Sequence, residues 1–119
     1  MTDMADKKQT IKKLRELFEK KRTAEELQEQ EPKLYRTLYK GLEDVNGLDY
    51  EYLDNFRKIK GENYSEKIGH VNDFSFKDCC TLLTFILRAE RFSDGFFYNA
   101  VSNGDVSRVL KRTKEIMNE

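Results

Sequence analysis

The charged segment at residues 88–95, which reads RAERFSDG, carries the side chains best suited to chemistry. On a helical wheel Glu90 lies about 20° from Cys79, in the middle of an apolar arc, so its carboxylate is predicted to face the core. A buried carboxylate must be neutralised or paired, so we expect a guanidinium beside it, from Arg88, Arg91 or the last helix. The preferred interpretation is a charge network that holds the bend between two helices.

The same segment supports a functional alternative, a small site for an anionic ligand or for a reaction. In such a site Glu90 or Asp94 would act as an acid or base, and Arg91 would hold the anion. The candidate residues for the network or the ligand site are Arg88, Glu90, Arg91, Asp94 and Gly95. The sequence offers no nucleophile and no phosphate-binding glycine loop beside them, so it indicates no reaction class. We therefore predict no catalytic residue and no enzyme.

The two cysteines, Cys79 and Cys80, are neighbours on a predicted helix. Their side chains diverge by about 100°, so they cannot easily hold one metal ion. A more specific alternative is a nucleophilic cysteine. A thiolate needs a nearby base or cation, and His70, the single histidine, could supply it. We predict two small buried side chains instead, with no metal site and no cofactor.

A further alternative is DNA binding by a helix-turn-helix-like unit at residues 94–118. Ala100, Gly104 and Leu110 reproduce part of the spacing of that motif. The exposed side of the second helix would present four candidate contacts, Ser107, Arg108, Lys111 and Arg112. Polar residues stand at several positions that are usually apolar in the motif, so the match is partial.

The charge balance makes nucleic acid the less favoured partner. The chain has 22 Lys plus Arg and 22 Asp plus Glu, so its formal net charge is 0, and it lacks the broad positive field that captures nucleic acids or anionic membranes. Two basic runs, residues 12–15 and 20–22, are interleaved with Glu16 and Glu19 and indicate a solvated face. The chain shows no apolar signal region and no run long enough to span a bilayer, so we predict a cytoplasmic protein with no membrane partner.

Helical periodicity dominates the chain, and no segment shows the alternation of a strand. With 38% hydrophobic and 37% charged residues, we predict an all-α fold, a compact bundle of about six short helices. The most apolar segment predicts a central helix at about residues 76–92. Asp49 is predicted to cap a helix that begins near Tyr52.

The same periodicity divides the chain. Residues 1–9 have no periodic apolar position and are predicted to form a flexible leader before a single helical domain at residues 10–119. Residues 10–30 are predicted to form a helical arm with a break before Thr23. Pro32 predicts the start of the next helix, and residues 62–74 are the predicted loop.

Residues 82–95 and 104–116 resemble a family of small bacterial proteins of unknown function. In that family an apolar helix ends in Arg-x-Glu-Arg-Phe-x-Asp-Gly, a short helix leads to an Asn-Gly or similar turn, and a Leu-x-Arg-Leu-x-Glu-Ile-like helix follows. This chain departs from the pattern at Thr113, where leucine is usual. The resemblance implies a helical bacterial protein with the charged turn at its centre, and it implies no activity.

The predicted arm suggests a role in binding. Its apolar stripe consists of Ile11, Leu14, Leu17 and Phe18. A short amphipathic helix is marginal by itself and needs a surface that buries its stripe, either its own core or another subunit. We therefore predict a non-enzymatic protein–protein interaction module, with self-association as one form of that role.

Overall fold

Helices build the whole architecture of residues 3–118, the part of the chain that the computed structural model describes. These residues contain no strand, which confirms the all-α prediction. The α-helices are α1 (Asp3–Glu19), α2 (Ala24–Asp44), α3 (Tyr52–Lys58), α4 (Tyr64–Ile68), α5 (Phe76–Ala89), α6 (Phe96–Ser102) and α7 (Asp105–Met117), with a 3₁₀ turn at Val71–Asp73. None of the helices in this part of the chain combines the length and apolar character needed to cross a membrane.

The central helix of the bundle is α5, in agreement with its wide apolar arc. Eight of its 14 residues are buried, and it contacts α2, α3, α6 and α7. The helix begins after a capping box, in which Ser75 Oγ accepts from the Asp78 backbone N–H and the Asp78 carboxylate accepts from the Ser75 N–H, each at 3.1 Å. It ends at Ala89 rather than near residue 92, so Glu90 stands at its carboxy-terminal boundary.

The first helix corrects two expectations. It is helical from Asp3, within the predicted leader at residues 1–9, of which Met1 and Thr2 lie outside the described residues. Its first turns lie beside α7, where Ala5 and Met117 line one cavity, and sequence periodicity cannot show such a contact. The helix packs along α7 and α2 and buries most of its apolar stripe. The predicted arm at residues 10–30 is therefore part of the globular core.

The second helix continues through the proline at which a helix start was expected. Pro32 lies inside α2, so the predicted start is wrong. The start is set at Thr23, which forms the expected capping box with Glu26. The proline removes one intrahelical donor, and the helix tolerates this because Leu34 and Leu38 bury its apolar face in the core.

Residues 62–74 contain α4 and the 3₁₀ turn, so the predicted loop is wrong. Elements of five and three residues are too short to show periodicity. Lys67 of α4 is buried, and its Nζ donates to the carbonyl oxygens of Ile59 and Gly61, each at 2.7 Å. The same ammonium group lies 5.0 Å from the centroid of the Phe56 ring. Lys67 thus fixes the connection between α3 and α4.

Candidate functional site

Glu90 caps the helix that follows it. Gly95 adopts a positive φ of 86°, and this turn brings the first N–H groups of α6 back towards the end of α5. Glu90 Oε2 accepts from the Gly95 N–H at 3.1 Å, and Oε1 accepts from the Phe97 N–H at 2.9 Å. The boundary residue of α6 supplies no side-chain cap, so Glu90 supplies one from the preceding helix, where a negative charge suits the helix dipole.

The neighbouring charges do not pair with Glu90. Among the ion pairs formed by residues 3–118, none joins this carboxylate to an arginine, so the predicted guanidinium partner is wrong. The Arg88 guanidinium instead lies 5.9 Å from the centroid of the Tyr39 ring, and Arg91 and Asp94 are exposed. Glu90 is half-buried rather than buried in the core, and the groups that bond to it are backbone N–H groups.

Two side chains of α2 complete this junction. Tyr35 Oη donates to the Leu87 carbonyl oxygen at 2.8 Å, and burial raises the pKa of Tyr35. Burial also raises the pKa of Glu31, as does the nearby charge of Glu90. Because both Glu90 oxygens are engaged by backbone donors, the arrangement supports the structural interpretation of this segment over a ligand site.

Both cysteine side chains are buried and unpaired. Burial raises the pKa of Cys79 to about 11 and that of Cys80 to about 12. At neutral pH both thiols are therefore protonated and poorly nucleophilic. Within residues 3–118, no group of three or more His, Cys, Asp or Glu side chains is placed to hold a metal ion.

Two of the candidate DNA contacts on α7 are bonded to the protein itself. Arg108 forms an ion pair with the buried carboxylate of Asp105. Arg112 Nε donates to the Phe74 carbonyl oxygen at 3.0 Å. Of the two remaining candidates, Ser107 is half-buried and Lys111 is exposed. The two arginines therefore have a structural use that the helix-turn-helix spacing did not indicate.

Asp49 organises the connection between α2 and α3 and bonds the backbone at the start of α3, as expected. Its Oδ1 accepts from the N–H of Glu51, the boundary residue of α3, at 2.9 Å, whereas Glu51 makes no side-chain cap bond of its own. Asp49 Oδ2 accepts from Thr81 Oγ1 at 2.6 Å, and both carboxylate oxygens accept from Asn55 Nδ2. Burial acts to raise the pKa of Asp49, but these hydrogen bonds outweigh it and lower the pKa. The network ties the connection to α5.

Five aromatic rings form a continuous group where α3, α4, α5 and α6 meet. The Phe85 ring is at its centre and stacks on Phe56 at a centroid distance of 3.9 Å and on Tyr64 at 5.9 Å. Phe96 and Tyr52 meet Phe85 edge to face at 5.8 and 6.4 Å. All five side chains are only partly buried, so we name this group the aromatic cluster. Helical periodicity alone gave no signal for it, because its rings come from four helices.

Three large apolar side chains in the same elements are exposed. The exposed fractions are 79% for Tyr50, 53% for Leu53 and 82% for Phe92. Tyr50 lies in the turn just before α3, Leu53 lies in the first turn of α3, and Phe92 lies in the turn between α5 and α6. Single exposed apolar side chains are ordinary, but three that lie within four residues of partly buried rings in the sequence favour an interaction surface. We refer to these three residues and the aromatic cluster together as the aromatic face.

Comparisons with known proteins bear on the whole chain. No curated protein and no solved structure matches it. A family model described as "Family of unknown function (DUF6508)" matches residues 9–119, a range that includes α2 to α7 and most of α1. This match confirms the prediction that the chain belongs to a family of unknown function. The chain belongs to the DUF6508 family.

Proposed function

We propose that the protein is a non-enzymatic protein–protein interaction module that binds its partner through the aromatic face. The exposure of Tyr50, Leu53 and Phe92 carries this proposal. Removing such side chains from water yields roughly 25 cal/mol for each Å² of apolar surface that a partner covers. The rings of the aromatic cluster already pack against one another, so a partner that covers them orders few of their rotamers.

The surface proposed here differs from the amino-terminal helix on which the sequence-based hypothesis rested. Ile11, Leu14 and Phe18 are buried in the core of the same chain, with exposed fractions of 1%, 3% and 4%. That stripe needs no second subunit. Apart from Met4 on α1, the exposed large apolar side chains of the described residues are Tyr50 and Leu53, just before and at the start of α3, and Phe92 in the turn after α5.

The groups considered for catalysis support a non-enzymatic role. Both oxygens of Glu90 accept backbone hydrogen bonds, and burial raises the pKa values of Cys79 and Cys80 far above neutrality. We propose a bacterial cytoplasmic setting, which the unpaired thiols and the sequence resemblance support.

A comparison of baits tests the proposed surface. The tagged full chain should retain a partner from lysate that the combined variant Leu53→Ser and Phe92→Ser loses. Met4→Ser is the matched control, because Met4 is also exposed at 54% but lies on α1. Circular dichroism should show all three proteins equally helical. Retention of the same proteins by the aromatic-face variant would contradict the proposal.

Self-association through this face is measured separately by light scattering. A dimer that dissociates in the Leu53→Ser and Phe92→Ser variant would identify a second copy as the partner. A monomer mass at high concentration would remove self-association and leave a different protein as the partner.

A further inference from the structure

A basic groove lies between α1 and α2, away from the aromatic face. It consists of two adjoining cavities of about 560 and 400 Å³, which share Lys33 and Thr37 in their linings. Seven basic side chains and two acidic ones line it. The basic side chains are Lys13, Lys20, Lys21, Arg22, Lys33, Arg36 and Lys40. In a chain of formal net charge 0, this is a local concentration of positive charge.

The acidic side chains of the groove are already engaged. Asp44 pairs with Lys40 at 3.3 Å, and Glu26 accepts from a backbone N–H in the capping box of α2. The ion pairs found in residues 3–118 do not include Lys33 or Arg36. Their charges are therefore available to a ligand.

Three leucines also line the groove, Leu14 and Leu17 from α1 and Leu34 from α2. Leu14 and Leu34 are each only 3% exposed, and Leu17 is half-buried. The helices approach closely at Gly41, where an added Cβ would lie 2.6 Å from Leu14 Cδ1. The described residues that line the groove include no aromatic ring. The groove therefore offers a ligand mainly positive charge.

The spacing of the cations sets the size of the ligand. Lys33, Arg36 and Lys40 are three and four residues apart on α2, so they share one face and extend over about 10 Å, with Lys40 at the end paired to Asp44. Lys13 on α1 and Lys20, just after the end of α1, are also seven residues apart. A single carboxylate or phosphate is too small to reach both ends of these rows. A linear ligand with several negative charges spans them.

We infer that the groove binds an acidic protein segment, rich in glutamate or aspartate. Its carboxylates pair with the basic side chains along the groove. A single-stranded nucleic acid fits less well, because the groove offers no ring on which bases could stack. This surface is separate from the aromatic face, so the inference does not rest on the proposed function.

Fluorescence anisotropy with the full chain tests the class of ligand. The probe is a fluorescein-labelled synthetic peptide of repeated Glu-Glu-Leu triplets, compared with a Gln-Gln-Leu peptide and a labelled oligothymidylate of equal length. The Glu peptide should bind, and its affinity should fall as salt rises. The Gln peptide and the oligothymidylate should bind at least about tenfold more weakly.

Charge reversal locates the binding surface. The combined variant Lys33→Glu and Arg36→Glu should weaken binding of the Glu peptide at least about tenfold. Lys58→Glu with Lys60→Glu makes the same change in net charge at exposed positions outside the groove and should alter the affinity by no more than about twofold. Amide chemical shifts of the unmodified protein should change mainly on α1 and α2, a readout that needs no variant.

Three results would overturn the inference. They are failure of the Glu peptide to bind, equal weakening by the two charge-reversal variants, and binding of oligothymidylate as tight as that of the Glu peptide. None depends on the aromatic face. The bait experiment and this experiment can therefore fail independently.

Discussion

Replacing Glu90 by alanine should destabilise the protein by about 2 kcal/mol, although Glu90 forms no ion pair. The substitution removes the acceptor from the N–H groups of Gly95 and Phe97. Loss of a helix cap typically costs about 1 kcal/mol. The Phe97 N–H belongs to a fully buried residue, so leaving it without an acceptor adds about 1 kcal/mol.

Urea unfolding followed by circular dichroism measures this loss, and a thermal scan should show a fall in Tm of roughly 8 °C. Glu90→Gln should cost about half as much, because the amide oxygen still accepts one bond while the NH₂ group faces the other donor. Hydrogen exchange at the Phe97 amide should become faster in both variants, since α6 loses its cap.

Arg91→Ala discriminates backbone capping from arginine pairing. Arg91 is exposed, so its removal should change the free energy of unfolding by less than about 0.5 kcal/mol. In a double-mutant cycle the effects of Glu90→Ala and Arg91→Ala should add. If Arg91→Ala is as costly as Glu90→Ala and the double variant is no worse than either, the carboxylate is held by the guanidinium and the capping explanation is refuted.

Three further predictions follow from buried groups. Lys67→Met should lower the free energy of unfolding by about 3 kcal/mol in urea titrations, because two carbonyl oxygens lose a charged donor; a loss below about 1 kcal/mol would contradict this role. Cys79 and Cys80 should react with a thiol reagent at pH 8 only as fast as the protein opens, because their pKa values are about 11 and about 12, and rapid labelling without denaturant would be inconsistent with their burial. Gly41→Ala should cost about 1–2 kcal/mol by the same urea assay, and the same substitution should cost less in a Leu14→Ala background, itself less stable than the parent, if the close contact is its cause.

The elements predicted best are those whose signals lie within a few residues. The capping boxes at Thr23 and Ser75 need only the side chain three residues later, and both are present. The wide apolar arc of α5 likewise predicted its central place. The errors at Pro32 and at residues 62–74 have a common cause: packing against distant residues carried helices through segments whose local signals were weak or contrary.

The side of the helix on which Glu90 lies was predictable from the sequence, but the groups that bond to Glu90 were not. The helical wheel indicated that Glu90 faces inward, but only the chain reversal at Gly95 determines that backbone N–H groups meet it there. Similarly, basic residues that appear balanced by Glu16 and Glu19 along α1 form one positive groove when α2 contributes Lys33 and Arg36. Sequence spacing describes one helix at a time, and both features arise between elements.

The close packing of α1 on α7 affects how the molecule assembles during translation. The stripe of α1 leaves the ribosome before α7, the helix that packs along it. Until then Ile11, Leu14 and Phe18 have only part of their native surroundings, and the nascent polypeptide presents them to chaperones and to other ribosome-bound chains. Closure of the bundle must therefore await release of α7 from the exit tunnel.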